Sequence, residues 1–282
     1  MHTLVTGIEG FTGRFVQAEL EANGHTVVGL SSDLTDVTAI ANEVSELQID
    51  AVIHLAGIAF VGDNNANAFY DVNLIGTRNL LEALSKYALH LSTVLITSSA
   101  NVYGNSTGGV LDESVTPNPS NDYAVSKLAM EYMARLWSDK LPICIARPFN
   151  YTGIGQNEKF LIPKIVKHFR DKKSVIELGN LDVWREFGDV RTVAAIYRML
   201  IEKCPTGETL NVCTGQAYSL RDVLSLCEKL TGHEIEIKVN PEFVRENEVR
   251  ELKGDNSRLT KLIENFPLNT FEETLSWMLE NS

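Results

Sequence analysis

Tyr123 and Lys127 stand four residues apart in the segment YAVSK, so a helix over Tyr123–Ser138 places a phenol and an ammonium on one face. A hydride delivered to a ketone carbon must be matched by a proton on the oxygen. A tyrosine hydroxyl supplies that proton once it is tuned down from its ordinary value near 10. The ammonium of Lys127 is the tuning group that the spacing offers, because a nearby positive charge favours the phenolate; the same amine can bond a nicotinamide ribose. Upstream, the run TSSANVYG ends a buried stretch with Thr97, Ser98 and Ser99. Hydroxyls at the carboxyl end of a strand lie where open α/β sheets bind ligands, so Ser99 can bond a substrate carbonyl while Tyr123 protonates it.

A second constellation sits at the start of the chain. TGIEGFTG places Gly7, Gly10 and Gly13 directly after the first strand, with Phe11, Thr12 and Arg14 opening the next helix. Glycines there allow a tight turn, a close backbone approach to a pyrophosphate, and close helix–strand packing, while the helix N-terminus faces the phosphate charge. An NAD site of this type expects a carboxylate on the adenosine ribose at the end of the second strand, and that place reads Gly29, Leu30, Ser31, Ser32. Hydroxyls tolerate a 2′-phosphate where a carboxylate repels it, and Arg14 lies nearby. The expected cofactor is therefore NADP(H) in preference to NAD(H). In the following DLTD, Asp33 and Leu34 can hold and cover an adenine, a reading compatible with a plain turn and helix cap built by Asp33 or Asp36.

The elements that must position these groups follow from periodicity. Strands are expected at Thr3–Thr6, Thr26–Leu30, Ala51–Ala56, Thr93–Ser98 and Ile143–Arg147, and helices at Gly13–Asn23, Val37–Leu47, Ala66–Leu84 and Tyr123–Ser138. This alternation predicts an α/β fold, a Rossmann doubly wound parallel sheet with a smaller C-terminal α/β substrate-binding region. The short SSDLTD after Leu30 suggests that the crossover helix between the second and third strands is missing or vestigial. Past Pro148 the chain changes character, with helices at Ile162–Asp171, Ser219–Thr231 and Phe271–Leu279 and strands at Glu208–Val212 and Glu234–Val239. Residues 1–148 with about 185–215 then form the nucleotide domain, and about 149–184 with 216–282 the substrate region.

Composition narrows the class. The 282 residues are 44% hydrophobic and 22% charged, as in ordinary globular proteins, and 25 Lys+Arg against 37 Asp+Glu leave a net charge of -12. With no basic cluster, a nucleic-acid partner is not expected. No apolar run approaches the ~18 residues of a membrane span, and a strand pattern from residue 2 leaves no signal peptide, so a cytoplasmic protein without a membrane partner is expected. The 4 cysteines are scattered and no histidines pair at ligand spacing, so no metal site is expected. His54, inside AVIHLAG, reads as a packed, hydrogen-bonded core histidine.

Taken together, TGIEGFTG, HLAG, VNLIGTRNLLEAL, SSANVYG, YAVSK and RPFN resemble the extended short-chain dehydrogenase/reductase family over nearly the whole chain. The resemblance implies Ser99, Tyr123 and Lys127 as the catalytic set. It places Leu55, Ala56, Gly57, Asn73, Thr97, Ser98 and Pro148 around the cofactor, and Asn101 and Asn150 on the substrate. Ala100 and Asn101 follow the catalytic hydroxyl where dehydratases of the family carry acids, which argues against dehydration. RPFNYTGIGQ, GNLDVWREFGDVRTV and VRENEVRELKGD resemble the substrate-binding stretches of GDP-4-keto-6-deoxy-D-mannose reductases. That likeness implies Arg185 and Arg245 on the diphosphate, as suits guanidinium geometry, and Glu248 on the nucleotide ribose. The expected activity is reduction of the 4-keto group of a nucleotide-linked 4-keto-6-deoxyhexose. A dTDP-sugar reductase, a UDP-hexose 4-epimerase, or a non-catalytic redox sensor on the same fold are the alternatives. The helix YAVSKLAMEYMARLW is apolar nearly all round, so a homodimer is expected, as in the paired-helix dimers of the family.

Overall fold

The structure is a computed structural model that describes residues 1–59, 65–105, 108–243 and 251–281. Six strands form its central sheet: β1 (His2–Thr6), β2 (Thr26–Leu30), β3 (Ala51–His54), β4 (Thr93–Thr97), β5 (Ile143–Pro148) and β6 (Thr209–Val212). They lie in the order β6-β5-β4-β3-β1-β2, and every pairing is parallel. β3 and β4 are buried along their whole length, and β5 is buried up to Pro148. That burial explains why these strands read as continuous apolar runs rather than alternating ones.

Helices cover both faces. On one side α1 (Phe11–Ala22) packs with α6 (Val190–Lys203), burying Val16, Leu20, Val193 and Tyr197 against Val5, Ile53 and Leu95. On the other, α2 (Val37–Glu46), α3 (Thr77–Tyr87) and α4 (Asp122–Arg135) bury Ile40, Leu80, Leu84 and Met130 against Leu4, Val52 and Ile96. The crossover between β2 and β3 is thus present, contrary to the reading of SSDLTD. Asp36 caps α2 through Thr38 N–H and Ala39 N–H, and Ile40 and Val44 supply its buried stripe. The short SSDLTD is the entrance to that helix, not a substitute for it.

The chain runs outward from β1 to β2 and then returns across β1 to β3. The order in which strands are added therefore reverses between β1 and β3, and the loops after these two strands diverge into a crevice at the carboxyl edge. A separate core is built by α5 (Leu161–Arg170), α7 (Leu220–Thr231) and α8 (Phe271–Asn281), around Ile165, Phe169, Leu224, Phe271 and Leu275. Beside it the short strands at 217–219, 184–186, 251–254 and 109–111 pair in that order. Besides the segment 190–212, Leu259 and Ile263 from the far end of the chain also pack into the sheet's core, and a short helix, Ser257–Leu262, contacts β6.

Candidate active site

α4 carries the phenol and the amine. Asn121 starts it by accepting from Ala124 N–H at 2.9 Å, which fixes the first turn and places Tyr123 and Lys127 one turn apart. Lys127 is buried, and its Nζ donates to the Thr97 carbonyl at the end of β4, at 2.9 Å. Gly57, in the loop after β3, makes room for it. A Cβ there would stand 3.2 Å from Lys127 Nζ and 2.9 Å from Asn73 Oδ1. Asn73 sits in a π-helical turn, Tyr70–Gly76, ahead of α3. Its side chain accepts from Ile58 N–H at 2.8 Å and donates to the Ile58 carbonyl and to Ser126 Oγ, each at 3.0 Å. Asn73 thereby ties the loop after β3 to the YAVSK helix.

The Ser99 hydroxyl lies near enough to the Tyr123 phenol to favour its ionised form. Ser99 begins a 3-10 turn, Ala100–Tyr103, where its Oγ accepts from Asn101 N–H at 3.2 Å. Desolvation of the phenol pushes Tyr123 up to about 12, against the lowering effect of Ser99. Lys127 does not pull the phenol down as the spacing suggested. Its ammonium is engaged by Thr97, and burial brings the amine itself down to about 8, with Glu131 opposing. The Tyr123 phenol is consequently protonated at neutral pH. The Phe69 ring lies 5.9 Å from the Tyr123 ring.

Beneath the pair lies a buried polar network that sequence reasoning missed. Ser98 Oγ donates to Glu131, and Arg147 grips the same carboxylate with Nε at 2.9 Å and Nη2 at 2.6 Å. Arg147 Nη1 continues to Tyr103 Oη at 3.0 Å, and Tyr103 donates to Asn211 Oδ1 at 2.7 Å. A bidentate guanidinium–carboxylate pair of this kind is geometrically specific, and losing either partner strands a buried charge. The available signal was the spacing of Glu131, four residues beyond Lys127 on the same helix face.

The glycine loop fits a dinucleotide pyrophosphate. Gly7 has φ +71°, and a Cβ on it would lie 2.9 Å from Ala56 N; one on Gly13 would lie 2.3 Å from the Gly7 carbonyl oxygen. α1 starts at Gly10 with no side-chain cap, leaving its first-turn N–H groups directed at the crevice. Phe11 stacks on Tyr151 with centroids 6.2 Å apart, and Thr12 Oγ1 bonds Tyr151 Oη at 2.8 Å. Thr6 Oγ1 accepts from Ala56 N–H, placing Leu55 and Ala56 across from Gly7. Pro148 closes β5 opposite Val212.

At the end of β2 the serines are not open hydroxyls. Glu43, from α2, accepts from Ser31 N–H at 2.8 Å, Ser31 Oγ at 2.9 Å, Ser32 N–H at 2.8 Å and Ser32 Oγ at 2.5 Å. A carboxylate therefore lies beside the two serines, where sequence reasoning saw none. Asp33 builds the turn that was expected of it, and Leu34 packs under the helix that follows. Asp33 accepts from Thr35 N–H and Oγ1, and Leu34 is buried, placed so that a Cβ on Gly76 would lie 2.7 Å from its own Cβ. Arg14 is exposed on the first turn of α1.

On the substrate side, Asn101 and Asn150 are exposed after β4 and β5, at the same edge of the sheet as Ser99. Arg185 is half-buried and donates to the Trp184 carbonyl at 2.8 Å. Arg245 and Glu248 lie outside the described residues. All four cysteines are free thiols, and among the described residues no group of three His, Cys, Asp or Glu could hold a metal. Among those residues, too, no helix is long and apolar enough to cross a membrane.

Comparison with known proteins agrees with this geometry. Residues 3–213 match the NAD dependent epimerase/dehydratase family. The chain belongs to that family. Membership makes it a nicotinamide-dependent oxidoreductase with the Rossmann-type fold seen here. Among its relatives is GDP-6-deoxy-D-talose 4-dehydrogenase of Aggregatibacter actinomycetemcomitans, 38% identical over 271 residues, covering 94% of this chain and 92% of that protein. GDP-6-deoxy-D-mannose reductase of Pseudomonas aeruginosa is 36% identical over 275 residues, covering 90% and 88%. The solved structure of RMD from Pseudomonas aeruginosa, complexed with NADPH, superposes with TM-score 0.89 at 33% identity over 99% of this chain and 98% of that one. A crystal structure from Burkholderia cenocepacia J2315 gives TM-score 0.95 at 47% identity over 99% and 97%.

Proposed function

We propose that the chain reduces the 4-keto group of a nucleotide-linked 4-keto-6-deoxyhexose, with GDP-4-keto-6-deoxy-D-mannose as the preferred substrate. The observation that carries this reading is the placement of Ser99, just past the carboxyl end of β4, beside the Tyr123 phenol and one helical turn from Lys127, with the phenol kept protonated by burial. When bound, the reduced nicotinamide supplies a hydride to carbon 4. Ser99 bonds the ketone oxygen and orients it, and Tyr123 Oη donates its proton as negative charge develops there. Lys127 holds the end of β4, and with it Ser99, through its bond to the Thr97 carbonyl. Both relatives named above act on GDP-linked 6-deoxyhexoses, which supports the base and the sugar class. Ala100 and Asn101 provide no acid–base pair for dehydration.

The test is to mix the protein with NADH or NADPH and with the GDP-, dTDP- and UDP-linked 4-keto-6-deoxy sugars in parallel, following nicotinamide absorbance. Fastest oxidation with the GDP sugar supports the reading, and a preference for the dTDP or UDP sugar overturns the base assignment. Protein that arrives with tightly held NAD and interconverts UDP-hexoses without net oxidation is an epimerase instead. Tyr123→Phe should bind dinucleotide normally and turn over about 10²-fold more slowly, the scale of losing a positioned acid.

A further inference from the structure

We propose that Glu43 makes this protein select NADH over NADPH, by occupying the ground an adenosine 2′-phosphate would need and accepting from the ribose hydroxyl instead. The inference rests on the reading of the crevice as a dinucleotide site. In such sites the residue at the end of the second strand meets the adenosine ribose, and here that residue is Ser31. Ser31 and Ser32 direct two hydroxyls and two N–H groups into one spot, an arrangement that by itself would receive a phosphate. All four donors are already satisfied by the two oxygens of Glu43, one oxygen to each serine.

The carboxylate is held in its charged form as well as in place. Burial raises its pKa, but the bonds from both serines outweigh burial and hold it below the usual carboxylate range. The negative charge is therefore present at neutral pH. Asp33, two residues beyond Ser31, adds a second carboxylate fixed by Thr35. A 2′-phosphate entering here meets like charge and must also displace an acceptor from four donors. A 2′-hydroxyl is uncharged and meets no such repulsion, and it needs to displace only one serine hydroxyl to donate to a carboxylate oxygen. The discriminating acid thus arrives from the second half of α2 rather than from the strand, 11 to 12 residues away from the serines it bonds.

Dissociation constants for NADH and NADPH, measured by nicotinamide fluorescence without sugar substrate, test the assignment in the wild type, Glu43→Gln and Glu43→Ala. The expected result is NADH at least tenfold tighter than NADPH in the wild type. That ratio should shrink at least fivefold in both variants, chiefly through stronger NADPH binding. Retained NADH binding by the variants shows that they are folded. NADPH held as tightly as NADH by the wild type, through Arg14 for example, overturns the proposal, as does a ratio unchanged in the variants. If neither dinucleotide binds the wild type, the reading of the crevice fails rather than the assignment of Glu43.

Discussion

Lys127 donates its ammonium to the Thr97 carbonyl across 2.9 Å, so the amine one turn from the candidate proton donor is fastened to the end of β4 rather than to the phenol. Fastening a cation inside the protein is costly. Its folded pKa is about 8 against 10.5 for the free amine. A base depressed in this way has its full stability only above the unfolded value, and loses it as pH falls toward 8. At neutral pH the charge therefore costs about 3 kcal/mol.

Lys127→Met should relieve that cost while leaving the Thr97 carbonyl without its donor, for a net gain of about 1–2 kcal/mol. Calorimetry on the dinucleotide-free protein should show a melting temperature a few degrees above wild type, together with a large loss of turnover. A lower melting temperature would contradict the buried-cation account. In the wild type, kcat/KM for reduction should fall as pH rises through about 8, where the ammonium is lost.

His54 sets the opposite boundary. Thr77 donates to the Asn73 carbonyl, so it accepts from His54 Nε2–H, and Thr6, which accepts from Ala56 N–H, donates to Nδ1. Both ring nitrogens are thus committed in the neutral tautomer, and burial lowers the pKa from 6.5 to about 3. The folded state binds this proton more weakly than the unfolded state. Stability from this group is complete above 6.5 and lost progressively toward 3, by about 2 kcal/mol between pH 6.5 and 5. Urea titrations at pH 7 and 5 should show the wild type losing about 2 kcal/mol more than His54→Gln on going to pH 5. Glu186 acts with the other sign. Burial raises it to about 7, so its contribution is present below 4.5 and lost as pH rises through 7, and the comparison with His54→Gln separates the two.

The exposed face of α4 predicts an assembly. Val125, Tyr132 and, just past its end, Leu136 recur at spacings of seven and four, and Leu136 is 81% exposed while Met130 on the opposite face is fully buried. A helix with one apolar stripe on the sheet and another toward solvent is suited to a partner. Light scattering at micromolar concentration should give the mass of a homodimer, and Leu136→Glu that of a monomer. A monomeric wild type would refute this.

The parts of the site that the sequence displayed are those in which chemistry and local geometry coincide. The glycine loop follows its strand directly, and YAVSK lies on a single helix. His54 was legible as a core residue because its neighbours AVI and L leave it nowhere else to go. Glu43 was not legible. Its partners Ser31 and Ser32 sit on a different element, and nothing in NEVSE sets one glutamate apart from the next. Glu131 and Arg147 form a pair only because β5 lies beside β4, under the helix that carries Glu131. The strands at 109–111, 184–186 and 251–254 are three or four residues long and are defined by pairing between distant segments, which periodicity cannot register. The π turn that aims Asn73 was hidden inside what reads as one helix over Ala66–Leu84.

The position of β6 has a consequence for how the chain reaches this state. Its strand joins β5 in parallel register, Thr209 against Ile145, only after the chain has passed through residues 149–208. Until residue 212 has emerged during synthesis, β5 is an edge whose unpaired backbone carries the apolar run ICIA. Long-range parallel pairing forms late because the loop must close before contacts compensate for it, and an apolar edge left open in the meantime recruits other chains. A truncation ending near Pro148 keeps the glycine loop and YAVSK intact, yet it should associate through that edge instead of surviving as a small folded dinucleotide binder.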